Sequence, residues 1–389
     1  MPLDLHRRSV LSGLASSAVL TSAAHAHTDQ NNWRNAAFEA ASSTAETLVD
    51  QGTVAGLAVG ISTQGYRKSA YFGLADRAAE RPVDERTQFR IASVTKPVVA
   101  AAALQMVELG VWTLDDSLAA YLPDFPLADD TTIYHLLTHT AGIENWWGRL
   151  PADTPQDFLN SGEAHLWLAQ MDQVHAFAPG SMRAYSNSGF VLLGEAMEKA
   201  TGMPLDQALK RLVLSRVGAG QTFLEQNDQP TEQWARGYAS SDGTHTPAPF
   251  TPAPFAAGGL RATLHDVLAF GDAVFLGPLL EAQNKAAMVE HARVSDGRRV
   301  EDAMYLAPGQ APEVLPEEVT EMGYGLGINT WVQSGERFYS HAGLIDGFGA
   351  YFIHAPRTKT TAVMLSNSFQ GTAPLHEPMR QAMIAAPDA

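Results

Sequence analysis

The sequence predicts an α+β fold: one antiparallel sheet built from both chain ends, flanked by helices, with a mostly helical region inserted at about 115–320. Short β-type runs sit at 54–76 and return at 323–368, while helical segments between Pro and Gly breaks fill the middle of the chain. No linker rich in Gly, Ser or charge separates these parts, so residues 27–389 read as one domain.

The elements follow in order. The N-terminal stretch "HRRSVLSGLASSAVLTSAAHAH" pairs Arg7 and Arg8 with a mild apolar run, Val10 to Leu20, and then the small-x-small triplet Ala24-His25-Ala26. This is the pattern of a twin-arginine export signal, residues 1–26, which predicts a periplasmic or extracellular mature protein. The apolar run is shorter than the roughly 18 residues of a membrane span, so no stable membrane insertion is expected. "NWRNAAFEAASSTAETLVD" then suits an amphipathic helix over 32–50, ended by Gly52. "VAGLAVGIS" and "YRKSAYFGLAD" form a hairpin around "TQG". After the inserted region, "GYGLGINTWVQ", "RFYSHAGL", "FGAYFIHAP" and "TTAVMLSNS" read as strands, and "PLHEPMRQAMIAA" closes as a helix.

Composition narrows the function. A formal net charge of -16 repels nucleic acid and anionic lipid surfaces, so no nucleic-acid partner is expected and a small-molecule or short-peptide substrate is. Cysteine is absent, which excludes a disulfide framework, a thiolate zinc site and a cysteine nucleophile.

Two loops stand out in the inserted region and after it. "TPAPF" at 246–250 repeats at once as 251–255, which predicts an extended, polyproline-like loop with two phenylalanines in need of cover. "APGQAPEVLPEEVTE" at 307–321 reads as a solvated, acidic surface excursion.

The chemistry centres on "RIASVTKPVVAAAALQMVELG". From Val94 to Leu109 apolar residues face every side of a helical projection, the mark of a helix buried all round. Burying an unpartnered lysine costs several kcal/mol, so Lys96 needs a reason. At i and i+3 on a helix, Ser93 and Lys96 place a hydroxyl and an amine within hydrogen-bond reach. A desolvated lysine has a depressed pKa and can act as a base. Ser93 also sits at a helix N-terminus, where free N–H groups favour a developing negative charge. By itself Ser-x-x-Lys is weak, since about one or two copies arise by chance in such a chain.

Two further segments strengthen it: Tyr185-Ser186-Asn187, between "APG" and a helix, and His341-Ala342-Gly343, at the end of a strand. Together the three motifs resemble those of the serine β-lactamase and DD-peptidase superfamily, in the branch of class C β-lactamases, small DD-peptidases, D-aminopeptidases and related esterases. "LLTHTAGI", "GGLRAT" and "GYGLGI" resemble segments of the same branch, and the resemblance runs over roughly 35–385.

The resemblance implies an acyl-enzyme on Ser93, with Lys96 as proton acceptor or relay and the Tyr185 phenol as base and then acid for the leaving group. It further implies that Asn187 binds the substrate, that the N–H groups of Ser93 and Leu344 form the oxyanion hole, and that His341 and Gly343 line the strand along which substrate lies. It places the loop holding Glu144, Trp146, Trp147 and Arg149 near the mouth, where Trp146 and Trp147 are candidates for an aromatic wall. Ala342 stands where relatives carry a threonine that helps hold a carboxylate. His341 would supply positive charge only below its pKa, near 6.5 unperturbed. Asp346 is a candidate partner for a substrate amine, or a turn-forming residue before Gly347.

His135 and His139, at i and i+4, would share one helix face, but no glutamate sits beside His135 as a zinc hydrolase of the HExxH type requires, so no metal or other cofactor is expected. The expectation is therefore an exported serine hydrolase of small amides or esters, like a DD-peptidase, a D-aminopeptidase or an esterase. A β-lactamase and a non-catalytic penicillin-recognising or cell-wall-sensing protein are the alternatives. The last would be expected to lack one of Ser93, Lys96 and Tyr185, and all three are present.

Overall fold

The computed structural model describes residues 33–63, 66–146, 163–171, 173–225, 231–241, 243–307 and 316–387. Helix α1 covers 33–50 and leads into the hairpin of β1 (Gly56–Thr63) and β2 (Tyr66–Asp76). The short strands β3 (Arg81–Pro82) and β4 (Phe89–Arg90) precede a 3-10 turn, Ala92–Val94, and helix α2 (Thr95–Glu108). The inserted region begins with α3 (Ile133–Leu137), α4 (Ala164–Leu168), α5 (Asn187–Thr201) and α6 (Leu205–Leu209). It continues through β5 (Phe223–Leu224), the hairpin β6 (Tyr238–Ser241) and β7 (Thr244–Pro247), α7 (Phe255–Gly258), β8 (Leu260–Ala262), α8 (Leu264–Phe275) and α9 (Ala282–Val289). Strands β9 (Val319–Tyr324), β10 (Asn329–Gln333), β11 (Glu336–Ile345), β12 (Phe348–Ala355) and β13 (Thr360–Ser366) follow, and α10 (Ala373–Ile384) closes the chain.

The main sheet has eight strands in the order β3-β2-β1-β13-β12-β11-β10-β9, with every neighbouring pair antiparallel. The two chain ends meet at β1 and β13, where Leu57 lies opposite Ser366 and Thr63 opposite Thr360. All residues of β1, β12 and β13 are buried, because helices cover both sheet faces. On one face Ala41 and Ala45 of α1 and Leu375, Met379 and Met383 of α10 pack on Leu57, Val59 and Met364. On the other, Leu264, Leu268 and Phe270 of α8 join Phe352, Val363 and Leu365 in a core that continues into α2 and α5. Burial on both faces explains why these strands read as continuous apolar runs rather than alternating ones.

The predicted architecture of one sheet from both ends with a helical insertion is therefore the observed one. Some local expectations change. The insertion also carries the local β6–β7 hairpin, and its β5 and β8 join β4 in a small sheet, β4-β8-β5, by pairings distant in sequence. The acidic loop at 307–321 gives way at Val319 to β9, and its residues 308–315 lie outside the described residues. Of the two repeated phenylalanines, Phe255 is buried at the start of α7, whereas Phe250 stays 39% exposed. The proposed signal, residues 1–26, lies outside the described residues, and no helix among the described residues is long and apolar enough to cross a membrane.

Candidate active site

Ser93 sits in the middle of the 3-10 turn that joins β4 to α2. Ala92 before it has φ +45°, a left-handed backbone costly for a residue with a Cβ and typical of places where surrounding packing over-determines the chain. Helix α2 has no side-chain N-cap, so the Ser93 hydroxyl is not used in capping and remains available.

One turn on, Lys96 is fully buried. Its Nζ lies 3.1 Å from Ser93 Oγ, 2.7 Å from Asn187 Oδ1 and 2.7 Å from the carbonyl oxygen of Ala257. Desolvation holds its pKa well below the usual 10.5. Nζ donates to all three oxygens, and a neutral amine could keep two N–H groups on the carbonyl-type oxygens and turn its lone pair to the Ser93 hydroxyl. The rings of Tyr185 and Phe190 lie 4.8 and 5.4 Å from Nζ and seal it from water.

Tyr185 and Asn187 come from the loop and first turn of α5, where Ser186 caps the helix by accepting from Gly189 N–H. The Tyr185 hydroxyl donates to Ser93 Oγ at 2.9 Å. Although Tyr185 is 36% exposed as a residue, its hydroxyl end is turned into the cluster, and desolvation raises the phenol above its usual range. Asn187 N–H donates to Asn145 Oδ1 at 3.2 Å, which ties this turn to the loop after α3.

Below Tyr185 lies His139, buried, with φ +60° and its ring 4.4 Å from the tyrosine ring. Its Nδ1 accepts from Ser186 N–H at 3.2 Å, which leaves Nε2 protonated and donating to the Tyr324 hydroxyl at 3.1 Å. Desolvation, reinforced by Arg183, keeps His139 neutral. His139 is thus a packed support for the Tyr185 turn. Helix α3 ends at Leu137, so His135 and His139 do not share a helix face, which corrects the spacing argument, and His135 instead completes the capping box of α3 with Thr132. No group of three or more His, Cys, Asp or Glu among the described residues could hold a metal ion.

Strand β11 brings the third motif past Ser93. A Cβ added to Gly343 would lie 2.2 Å from the Ile91 oxygen and 3.2 Å from Ser93 N, so only glycine lets the strand run this close to the Ser93 amide. Pairing with β10 stops at Ser340, which leaves the edge from His341 onward open on that side for an extended substrate. Ala342 and Leu344 are exposed along this stretch.

His341, by contrast, is buried. Its Nδ1–H donates to the Ala342 carbonyl at 2.8 Å, and Nε2 has no hydrogen-bond partner. Desolvation, then Lys96, lowers its pKa to about 3. The expectation of a cationic His341 that holds a carboxylate at mildly acid pH is therefore corrected: the ring is neutral.

The aromatic wall is corrected in the same way. Trp146 is 1% exposed and packs edge-on against Trp167 at 5.9 Å, so it belongs to the core. Trp147 and Arg149 lie outside the described residues. The Glu144 carbonyl accepts from Ser188 Oγ at 2.7 Å, which again fixes loop to helix. Asp346 lies in the β11–β12 turn beside Gly347, φ +76°, and its carboxylate accepts from Thr251 Oγ1.

Ser93, Lys96, Tyr185, Asn187 and Gly343 are thus brought together. Asn145, the Ala257 carbonyl and the His139–Tyr324 pair complete the cluster without having been singled out as site residues. "LLTHTAGI" and "GYGLGI" contained the last two as resembling segments, but an asparagine in a loop and a main-chain oxygen carry no sequence signal.

Comparison with known proteins identifies the family. A β-lactamase of Pseudomonas fluorescens is 26% identical over 342 residues, 84% of this chain and 92% of that protein. Esterase EstB of Burkholderia gladioli is 40% identical over 171 residues, which covers 39% of this chain and 42% of its own. In fold, the D-amino acid amidase of Ochrobactrum anthropi SV3 superposes with a TM-score of 0.73 at 21% identity, over 90% of this chain and 98% of its own. The family model "Beta-lactamase" matches residues 41–386, a span that holds the whole sheet and all three motifs. A buried lysine beside a serine, a tyrosine over both and a glycine strand alongside are therefore held in a chain that belongs to the β-lactamase family, within the superfamily of serine β-lactamases and DD-peptidases.

Proposed function

We propose that the protein is a serine hydrolase that forms an acyl-enzyme on Ser93 and acts on small esters, with amides as slower substrates. The observation that carries the proposal is the fully buried Lys96 amine, 3.1 Å from Ser93 Oγ and held well below its usual pKa by desolvation. Neutral Lys96 takes the Ser93 proton as Oγ attacks the carbonyl carbon. Tyr185 keeps its own proton at rest, donates to Ser93 Oγ at 2.9 Å, and passes a proton to the leaving group. The carbonyl oxygen lies between the Ser93 and Leu344 amides, and Asn187 orients the acyl chain. Protonated Lys96 restores the Tyr185 proton, and water then attacks the ester of Ser93 as neutral Lys96 takes its proton, which passes to Ser93 Oγ as the acid leaves.

Esters are favoured over β-lactams and D-Ala-D-Ala peptides because the third motif offers neither a hydroxyl at Ala342 nor a charge at His341 to anchor a carboxylate. The 40% identity with an esterase over 171 residues supports the same reading. We extend the proposal to export through residues 1–26, to be checked by N-terminal sequencing of the secreted or periplasmic protein. A fluorophosphonate probe followed by peptide mapping tests the mechanism: the expected adduct is on Ser93 and is absent in Ser93→Ala, which also loses ester hydrolysis by at least about 1,000-fold. A label elsewhere, or undiminished hydrolysis in Ser93→Ala, overturns it.

A further inference from the structure

Three residues beyond Gly343, about 10 Å along an extended strand, the open edge of β11 reaches Asp346 at the rim of a cleft of about 290 Å³. Trp234, Phe250 and Phe348 give it aromatic walls, and Arg90 and Arg261 line it beside them. These two arginines share a single carboxylate, Glu225, and all three side chains are nearly fully buried.

Arg90 is well satisfied. Its Nε and Nη2 bind Glu225 at 2.9 and 2.8 Å, Nη2 also donates to the Thr251 carbonyl at 2.7 Å, and the Phe250 ring lies 4.7 Å from the guanidinium. Arg261 has only Nε on Glu225, at 3.1 Å, and its Nη1 is buried without a partner. The Trp234 and Phe348 rings lie 3.9 and 5.9 Å from its guanidinium. Desolvation lowers its pKa to about 10, which still leaves it charged at neutral pH. One buried positive charge is thus left over, with donor capacity unused, in the wall of a cleft that Asp346, three residues beyond Gly343, also lines. A buried orphan donor on a cation is costly and calls for an anionic partner.

The other charges around the cleft do not supply one. Arg236 at the rim is paired with Asp76 at 2.8 Å, and Asp346, which accepts from the neutral Thr251 hydroxyl, forms no ion pair with Arg261 among the described residues. A single spare positive charge, with Asp346 repelling excess negative charge at the entrance, suits a monoanion.

We propose that this cleft is a subsite for a carboxylate at the far end of the substrate's acyl chain, received by Arg261 between Trp234 and Phe348. The favoured substrates are then half-esters of medium-length dicarboxylic acids. This inference rests on the esterase reading, and it places the carboxylate beyond Gly343 rather than at His341. Arginine gives the planar, charge-assisted donor pair that a carboxylate requires.

The test compares p-nitrophenyl hydrogen suberate with its methyl-capped, neutral counterpart. The expected wild-type kcat/KM is at least tenfold higher for the free acid, with the difference mainly in KM. Arg261→Gln should bring the ratio to within about twofold of one, and Asp346→Asn should raise it severalfold. A wild-type ratio near one, or an equal loss on both esters in Arg261→Gln, overturns the subsite. Should Arg261→Gln fail to fold, protection of the wild-type protein by suberate against thermal unfolding, not matched by dimethyl suberate, carries the proposal, and equal effects overturn it. Failure of the ester reading is told apart by the absence of fluorophosphonate labelling at Ser93, in which case suberate protection still decides the subsite.

Discussion

Lys96 shows how a residue acquires chemistry from what surrounds it. An ammonium at this position would find three acceptors, Ser93 Oγ, Asn187 Oδ1 and the Ala257 carbonyl, but no carboxylate among its hydrogen-bond partners. Desolvation therefore prevails over hydrogen bonding and holds the amine well below its usual pKa, which favours the neutral form. Lys96→Arg keeps a long polar side chain but cannot lose its proton, so kcat on a p-nitrophenyl ester should fall at least about 100-fold. In the unmodified enzyme kcat/KM should fall as pH drops through the lowered lysine pKa. No second inflection from His341 should appear near pH 6.5, because its pKa lies at about 3. A profile of kcat/KM against pH, measured beside that of the variant, checks both statements. The Ser93–Lys96 pair was legible because i and i+3 are neighbours on any helix. The Ala257 carbonyl was not, since it is 161 residues away from Lys96 and is a main-chain atom.

At the scale of elements, the site is a seam between pieces that fold from opposite ends of the chain. The 3-10 turn before α2 presents the serine, the loop and first turn of α5 present Tyr185 and Asn187, and β11 lies against the serine turn through Gly343. A Cβ there would meet main-chain atoms of Ile91, which cannot swing aside as a side chain can. Gly343→Ala is accordingly expected to push β11 away from the Ser93 amide, with kcat/KM reduced at least about 100-fold by misplacement and unfolding free energy lowered by roughly 1–3 kcal/mol. Steady-state kinetics and urea unfolding of the same sample measure the two effects, and an unchanged kcat/KM would show that the strand does not set the site geometry. Helix and strand identities here were legible from periodicity. The early end of α3 was not, because the buried His139–Tyr324 contact turns the chain away after Leu137.

For the whole molecule, buried neutral histidines link the fold to pH. His341 and His354 are lowered to about 3 and His376 to about 4, in each case first by desolvation. In the unfolded chain these groups titrate near 6.5, so below that pH the unfolded state binds protons that the folded state refuses. Their stabilising contribution is fully present above about pH 6.5 and is lost progressively as pH falls from there through about 4 for His376 and about 3 for His341 and His354. Lys96 acts in the same sense at higher pH, since its folded pKa lies below 10.5. Each pKa unit corresponds to about 1.4 kcal/mol, a large step against a total stability of roughly 5–15 kcal/mol. Cooperative acid unfolding with a midpoint above pH 4 is expected in a near-UV circular dichroism titration, and a protein still native at pH 3 would contradict the buried-neutral assignment.

By itself the sequence determined the fold class, the sheet shared by both chain ends and the serine–lysine pair with its two supporting motifs. The fold class and sheet rest on local periodicity and turn residues and the serine–lysine pair on a short spacing, which survive in a linear string, whereas the two supporting motifs were legible through their resemblance to a known superfamily. Tertiary structure alone decided the charge states and the pocket: a neutral His341, Trp146 in the core, the Ala257 carbonyl on Lys96 and the spare charge of Arg261. Each depends on how much water packing removes and which distant atoms replace it, and neither quantity is written in the order of the residues.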